Sequence, residues 1–189
     1  MVARQTAQPI LNQRGEPLQA FGTLVHYQLG LDDRARLENV ELLNRILADT
    51  IVIRDMYKKA HWQVSGATFH QLHLLFEEHH QQQAAITDLL AERVQTLGGV
   101  SVATPQDVIQ TSRLERSPAA REQVPEQLSR LLDAHERILI QTRVAARLAD
   151  RNGDLGTNDL LMGDVLRPNE KQVWFLSEHL VDGPLVKIR

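Results

Sequence analysis

The two longest unbroken stretches of this 189-residue chain, residues 32–64 and 68–97, hold neither proline nor glycine and are parted by Ser65-Gly66. Proline removes an amide donor and glycine costs about 1 kcal/mol inside a helix, so runs this long without either permit two long helices. Asp32 or Asp33 can cap the first, and Gly98-Gly99 supply the left-handed turn that ends the second. Thr104-Pro105 ahead of QDVIQ predicts a short helix in the connection, because threonine caps and proline suits a first turn. A third helix is expected over roughly 125–150, where Leu128, Leu131, Leu132, His135, Leu139 and Thr142 recur at three- and four-residue steps. The fourth is expected from about Thr157 to Leu180, with Pro168 kinking or breaking it. With only 4 % aromatic residues and few glycines inside these runs, the pattern predicts an all-α four-helix bundle with a short helix between the second and third long helices. The expected organisation is an irregular arm over 1–31, rich in punctuating Pro and Gly, then the bundle over 32–182 and a short tail over 183–189.

On this frame stands a ladder of metal-type side chains. His73 and Glu77 are four residues apart, as are Asp88 and Glu92, so each pair projects from one helical face. From Glu77 to Asp88 is close to three whole turns, which puts both pairs on the same face. They cannot share one ion, since the rise from His73 to Asp88 is roughly 22 Å. If an identical helix packed antiparallel across a two-fold axis, the His73 end of one copy would meet the Asp88 end of the other, giving two sites at once. Imidazole and carboxylate with no cysteine in the chain suit iron or zinc and oxygen chemistry.

His61-Trp62 with Gly66, then Phe69, Leu72-His73 and Phe76-Glu77, then Asp88 and Ala91-Glu92-Arg93 closely resemble the pattern of the Dps family of mini-ferritins, H-W-x-x-x-G, F-x-x-L-H-x-x-F-D/E and D-x-x-A-E-R. The segment GDLGTNDLLMGDVLRPNEKQVWFLSEHL also looks like that family's last helix, so the similarity spans most of 35–182. The resemblance implies a ferritin-like bundle and a ferroxidase whose catalytic metal ligands are His61, His73 and Glu77 from one subunit with Asp88 and Glu92 from its partner. It further implies a homododecamer with two-fold ferroxidase interfaces, which oxidises Fe²⁺ with hydrogen peroxide or dioxygen, mineralises ferric iron in its cavity and protects against oxidative stress. Asp154 and Asp159 match the acidic lining of three-fold entry pores, although both also suit helix capping.

This chain departs from the family twice within one turn: Glu replaces the commoner Asp at 77, and His80 stands where an aromatic is usual. His80 is either an added ligand, which would favour Zn²⁺ as competitor or inhibitor, or a hydrogen-bonding group at the two-fold interface. Trp62 is either an electron donor at the metal pocket or a packing anchor. His79 is expected to be solvated, and His26 and His135 to be hydrogen-bonded core residues.

A formal net charge of −3 does not call for polyanions. The first 31 residues offer only Arg4 and Arg14 against Glu16, and the LVKIR end adds Lys187 and Arg189, so DNA binding is expected to be weak or absent. No apolar run approaches the ~20 residues of a membrane span and no secretory signal is seen, which makes a cytoplasmic protein the expectation. Two alternatives stay open. One is a DNA-compacting structural assembly with weak or no ferroxidase activity. The other is a di-iron enzyme with its metals inside one subunit, which lacks the second Glu-x-x-His pair it requires.

Overall fold

The computed structural model describes residues 7–182. Arg4, Lys187 and Arg189, weighed above as DNA contacts, lie outside them. Among the described residues all regular structure is helical: α1 (Asp33–Gln63), α2 (Phe69–Thr96), α3 (Pro105–Thr111), α4 (Val124–Arg151), α5 (Leu155–Leu160), a π-helical turn over Leu161–Leu166, and α6 (Arg167–Glu178). The last three continue one another as the fourth long rod.

Each boundary has a local cause. Asp32 caps α1 by accepting from the amides of Arg34 and Ala35 at 2.8 and 3.3 Å, which satisfies two of the orphan donors of a first turn. The α1–α2 turn passes through Gly66 at φ 101°, a conformation that other residues adopt only at a steric cost. The short turn returns α2 antiparallel along α1. Two buried clusters fill the bundle between the long helices. One is built on Leu43, Leu47, Leu90, Leu97 and Leu161, the other on Ile53, Tyr57, Leu72, Phe76, Leu128 and Leu176. Each fully buried Leu or Phe contributes about 2 kcal/mol by leaving water, so this packing holds the helices in register.

The fourth rod starts at Leu155, two residues before the expected Thr157, because Asp154 supplies the cap by accepting from the Thr157 amide at 3.0 Å. Pro168 does not break the rod. The π-helical turn ends at Leu166, just ahead of the residue that has no amide to donate. Its wider ring opens the ladder where proline would meet the preceding carbonyls.

The N-terminal arm is irregular, as expected, yet part of it is pinned. The Val25 amide donates to the Gly98 carbonyl at 2.8 Å, and Gln19 Nε2 donates to the same oxygen at 2.9 Å. Buried Arg36 donates to the Val25 and Leu97 carbonyls, both at 3.0 Å. Gly98 has φ 87°, and a Cβ there would lie 2.3 Å from the Val25 carbonyl oxygen, so only glycine admits this approach.

Candidate metal centre

Where the C-terminal turn of α1 meets the first turns of α2, His61 and His73 stack with ring centroids 3.8 Å apart and planes 22° from parallel. Their bonding is reciprocal: His61 Nδ1 donates to the His73 carbonyl at 2.8 Å, and His73 Nδ1 donates to the His61 carbonyl at 2.9 Å. The His61 carbonyl belongs to the last turn of α1, where helices leave acceptors unpaired. A carbonyl can only accept, so both rings carry a proton on Nδ1, and the neutral form of each leaves Nε2 bare. That is the tautomer a metal ligand needs, held by the type of outer hydrogen bond that orients metal-binding imidazoles.

Glu77, one turn along α2 from His73, places Oε2 3.5 Å from His61 Nε2. Two donors bound to one ion at about 2.1 Å each stand at roughly this separation. Lys58, one turn before His61, donates to the same Oε2 at 2.5 Å. Its ammonium, chiefly through this hydrogen bond, holds the Glu77 carboxyl below the usual range, with help from Gln81. The ligand pattern in the sequence does not single out Lys58, although its i,i+3 relation to His61 puts the two on one face. His80 repeats the histidine pattern, with Nδ1 donating to the Arg54 carbonyl at 3.0 Å, which leaves its Nε2 bare as well.

The structure therefore brings His61, His73 and Glu77 together. Asp88 and Glu92 are exposed on α2, about three turns farther along. Among the described residues no group of three or more His, Cys, Asp or Glu side chains is arranged to hold a metal ion within one chain, so what the protomer presents is an incomplete set. Trp62 is 70 % exposed and does not anchor packing within the subunit.

Three expectations are corrected. His79 is not solvated: it is buried, its ring meets Tyr57 edge-on at 5.1 Å, and it faces Phe175 at 6.3 Å. Its turn of α2 faces the rod that contains Phe175 rather than water. His26 is not a core residue; it lies exposed on the arm, whose chain passes over the bundle surface. Asp154 is not free to line a pore. It is 1 % exposed, and its two oxygens accept from Arg93, Asn39, the Thr157 amide and the Thr157 hydroxyl. A carboxylate with every lone pair engaged stays buried. Asp159 remains exposed. His135 does occupy the core, where burial lowers it to about 3 although its bond with Asn169 acts the other way.

An all-helical rod of this layout is ferritin-like, and the family described as the ferritin-like domain matches residues 40–186. DpsC from Streptomyces coelicolor is 49 % identical and superposes with a TM-score of 0.90, covering 91 % of this chain and 100 % of that one. DNA protection during starvation protein 2 of Bacillus anthracis is 30 % identical over 141 residues, 75 % of this chain and 95 % of the relative. The Dps protein of Vibrio cholerae O1, a member of a broad superfamily of ferritin-like diiron-carboxylate proteins, is 28 % identical with a TM-score of 0.78, covering 86 % and 99 % of the two chains. The chain belongs to the Dps family of ferritin-like proteins.

Among the described residues no helix is long and apolar enough to cross a membrane.

Proposed function

We propose that the chain is the subunit of an iron-storing mini-ferritin that oxidises Fe²⁺ at centres shared between two copies. His61, His73 and Glu77 form one half, and Asp88 and Glu92 of the partner subunit complete it. The observation that carries this reading is the stacked His61–His73 pair with both Nδ1 atoms bonded to carbonyls and His61 Nε2 3.5 Å from the Glu77 carboxylate. Such a half-site is an unfinished coordination sphere. The exposed acids on the same helix are the donors that a two-fold copy would bring.

Iron is the substrate here. Carboxylate oxygens favour the ferric over the ferrous ion, and few protein donors per ion leave positions for the oxidant. Two ferrous ions give one electron each to a peroxide molecule, which takes up two protons and leaves as two waters. Lys58 neutralises Glu77 when iron is absent and must yield when the ion arrives. His80 is one turn from Glu77 and has its lone pair free, so we assign it as an added donor that strengthens binding of Zn²⁺ as a competitor. Trp62, exposed beside His61, is positioned to donate an electron to stray oxidants. A dodecamer would carry the ferric product in its cavity, and Asp159 is the remaining candidate for the entry pore. DNA binding is weak or absent in this reading, since residues 7–31 carry Arg14 as their single Lys or Arg. Salt-resistant retention of DNA in a mobility shift would favour the compacting assembly instead.

The test is complementation. His61→Ala and Asp88→Ala proteins should each lose ferrous oxidation, while co-assembled mixtures regain part of it because some interfaces pair two intact halves. Mixtures that stay as inactive as the parents would refute a shared centre.

A further inference from the structure

Tyr57 lies in the core behind the half-site, and no step above uses it. Its hydroxyl is 2.5 Å from His135 Nε2, and His135 Nδ1 is 2.8 Å from Asn169 Oδ1. The proton positions follow from the partners. Asn169 Nδ2 donates to the Val165 carbonyl at 2.7 Å and its oxygen accepts from Gln83, so it is the amide oxygen that faces His135. An oxygen there requires a proton on Nδ1, which leaves Nε2 bare and makes Tyr57 the donor. Tyr57 and His135 are both 0 % exposed. A phenol with its proton already directed at a neutral base, sealed from water, is built to lose an electron and that proton together.

The surroundings fit such a role. Of the two tyrosines and two tryptophans, Tyr57 alone is buried; Tyr27, Trp62 and Trp174 are exposed. Tyr57 stands one turn before His61 on α1, and its ring lies 6.2 Å from that of Phe76, the neighbour of Glu77. From Tyr57, ring contacts also run through His79 and Phe175 to Trp174 at 5.1, 6.3 and 5.2 Å. Trp174 is 59 % exposed. One end of the path is near the iron half-site and the other opens at the subunit surface.

We propose that Tyr57 and His135 form a proton-coupled redox pair that traps strong one-electron oxidants. Tyr57 gives one electron to an oxidant of the hydroxyl-radical class, which leaves as hydroxide, and the phenolic proton crosses to His135 Nε2. The neutral tyrosyl radical is then reduced by one electron from a thiol or ascorbate-type donor, and the proton returns from His135. Asn169 keeps its bond to Nδ1 throughout, so only the shared proton moves. The desolvation that holds Tyr57 far above its ordinary value disfavours the phenolate, so the proton does not leave ahead of the electron.

The proposed iron chemistry supplies one natural source of such oxidants, but the trap is tested without it. Metal-free protein is oxidised by flash-generated ruthenium(III) tris-bipyridine and frozen for electron paramagnetic resonance. The Tyr27→Phe protein, in which Tyr57 is the sole tyrosine and the buried pair is untouched, should keep the tyrosyl signal. Ring-deuterated tyrosine should collapse its hyperfine splitting, and the high-field g-value should be lowered by a hydrogen bond from an imidazolium. Tyr57→Phe added to the Tyr27→Phe protein should lose the signal. Absence of the radical in the Tyr27→Phe protein, insensitivity to tyrosine deuteration, or an unshifted g-value would each overturn the proposal. None of these outcomes bears on ferrous oxidation, so a failure here leaves the shared iron centre to its own test.

Discussion

Two groups of histidines, one on α1 and α2 and the other on α2 and α4, meet opposite fates. At the α1–α2 corner, His61, His73 and His80 each give Nδ1–H to a backbone carbonyl and keep Nε2 bare. In the core, His135 uses both nitrogens on Tyr57 and Asn169, and His79 lies between aromatic rings with an unpartnered Nδ1. Residue type is the same for both groups, and adjacent His79 and His80 fall on opposite sides of the division. What separates them is which ring nitrogen is engaged and whether water can reach the other, and those two facts decide between ligand and core residue.

The sharpest way to break the comparison is pH. Burial lowers His79 to about 4 and His135 to about 3, both below the ordinary 6.5. The unfolded chain therefore binds more protons than the folded one below pH 6.5, and stability falls as pH drops toward 4. Each group contributes about 1.4 kcal/mol per pH unit in that window, so a combined loss on the order of 5 kcal/mol is expected, with full stability restored above pH 6.5. Urea unfolding from pH 7 to 4.5 measures it, and a flat profile would mean that neither histidine is buried neutral.

Removing His135 should come next. His135→Ala strands the Tyr57 hydroxyl and opens a cavity, at a cost of about 3 kcal/mol. Equilibrium unfolding should show a lower midpoint with an unchanged denaturant slope, and ferrous binding should survive under conditions where the protein is folded. His61→Ala should behave in the opposite manner. Stability should change by less than about 1 kcal/mol, while ferrous oxidation drops by about 100-fold, as expected when a ligand rather than its support is lost. Stopped-flow ferric absorbance with peroxide and with oxygen separates the two oxidants in the same measurement.

The smallest effect is expected at Lys58. Its ion pair with Glu77 is partly exposed on both sides, so Lys58→Met should shift stability by less than about 1 kcal/mol. Without the ammonium, Glu77 loses the main cause of its lowered value and titrates nearer its ordinary range. Ferrous affinity measured anaerobically should rise modestly at neutral pH, since no cation competes for Oε2. An affinity that falls would instead make Lys58 a positive part of the site.

Helix starts and stops were readable because they depend on near neighbours. Asp32 as a cap, Gly66 and Gly98 as turns, Pro105 in a first turn and the His73–Glu77 step all act over a few residues. The errors fell where a distant segment decides the outcome. Pro168, expected to kink or break the helix, is the local exception, absorbed by the π-helical turn just ahead of it. Asp154 reads as a pore residue until Arg93 and Asn39, from two other helices, engage its oxygens. His79 points away from the ladder face and reads as solvated, yet its own turn faces Phe175.

The chain alone determined that its helices would be long and that donors would recur along one face of α2, because the pitch of a helix converts numbering directly into direction. Only the packed bundle decided which nitrogen of each histidine stays bare, which carboxylate is sealed by arginine and which tyrosine finds a base. Those depend on atoms from helices far apart in sequence meeting within about 3 Å, the range over which a hydrogen bond acts.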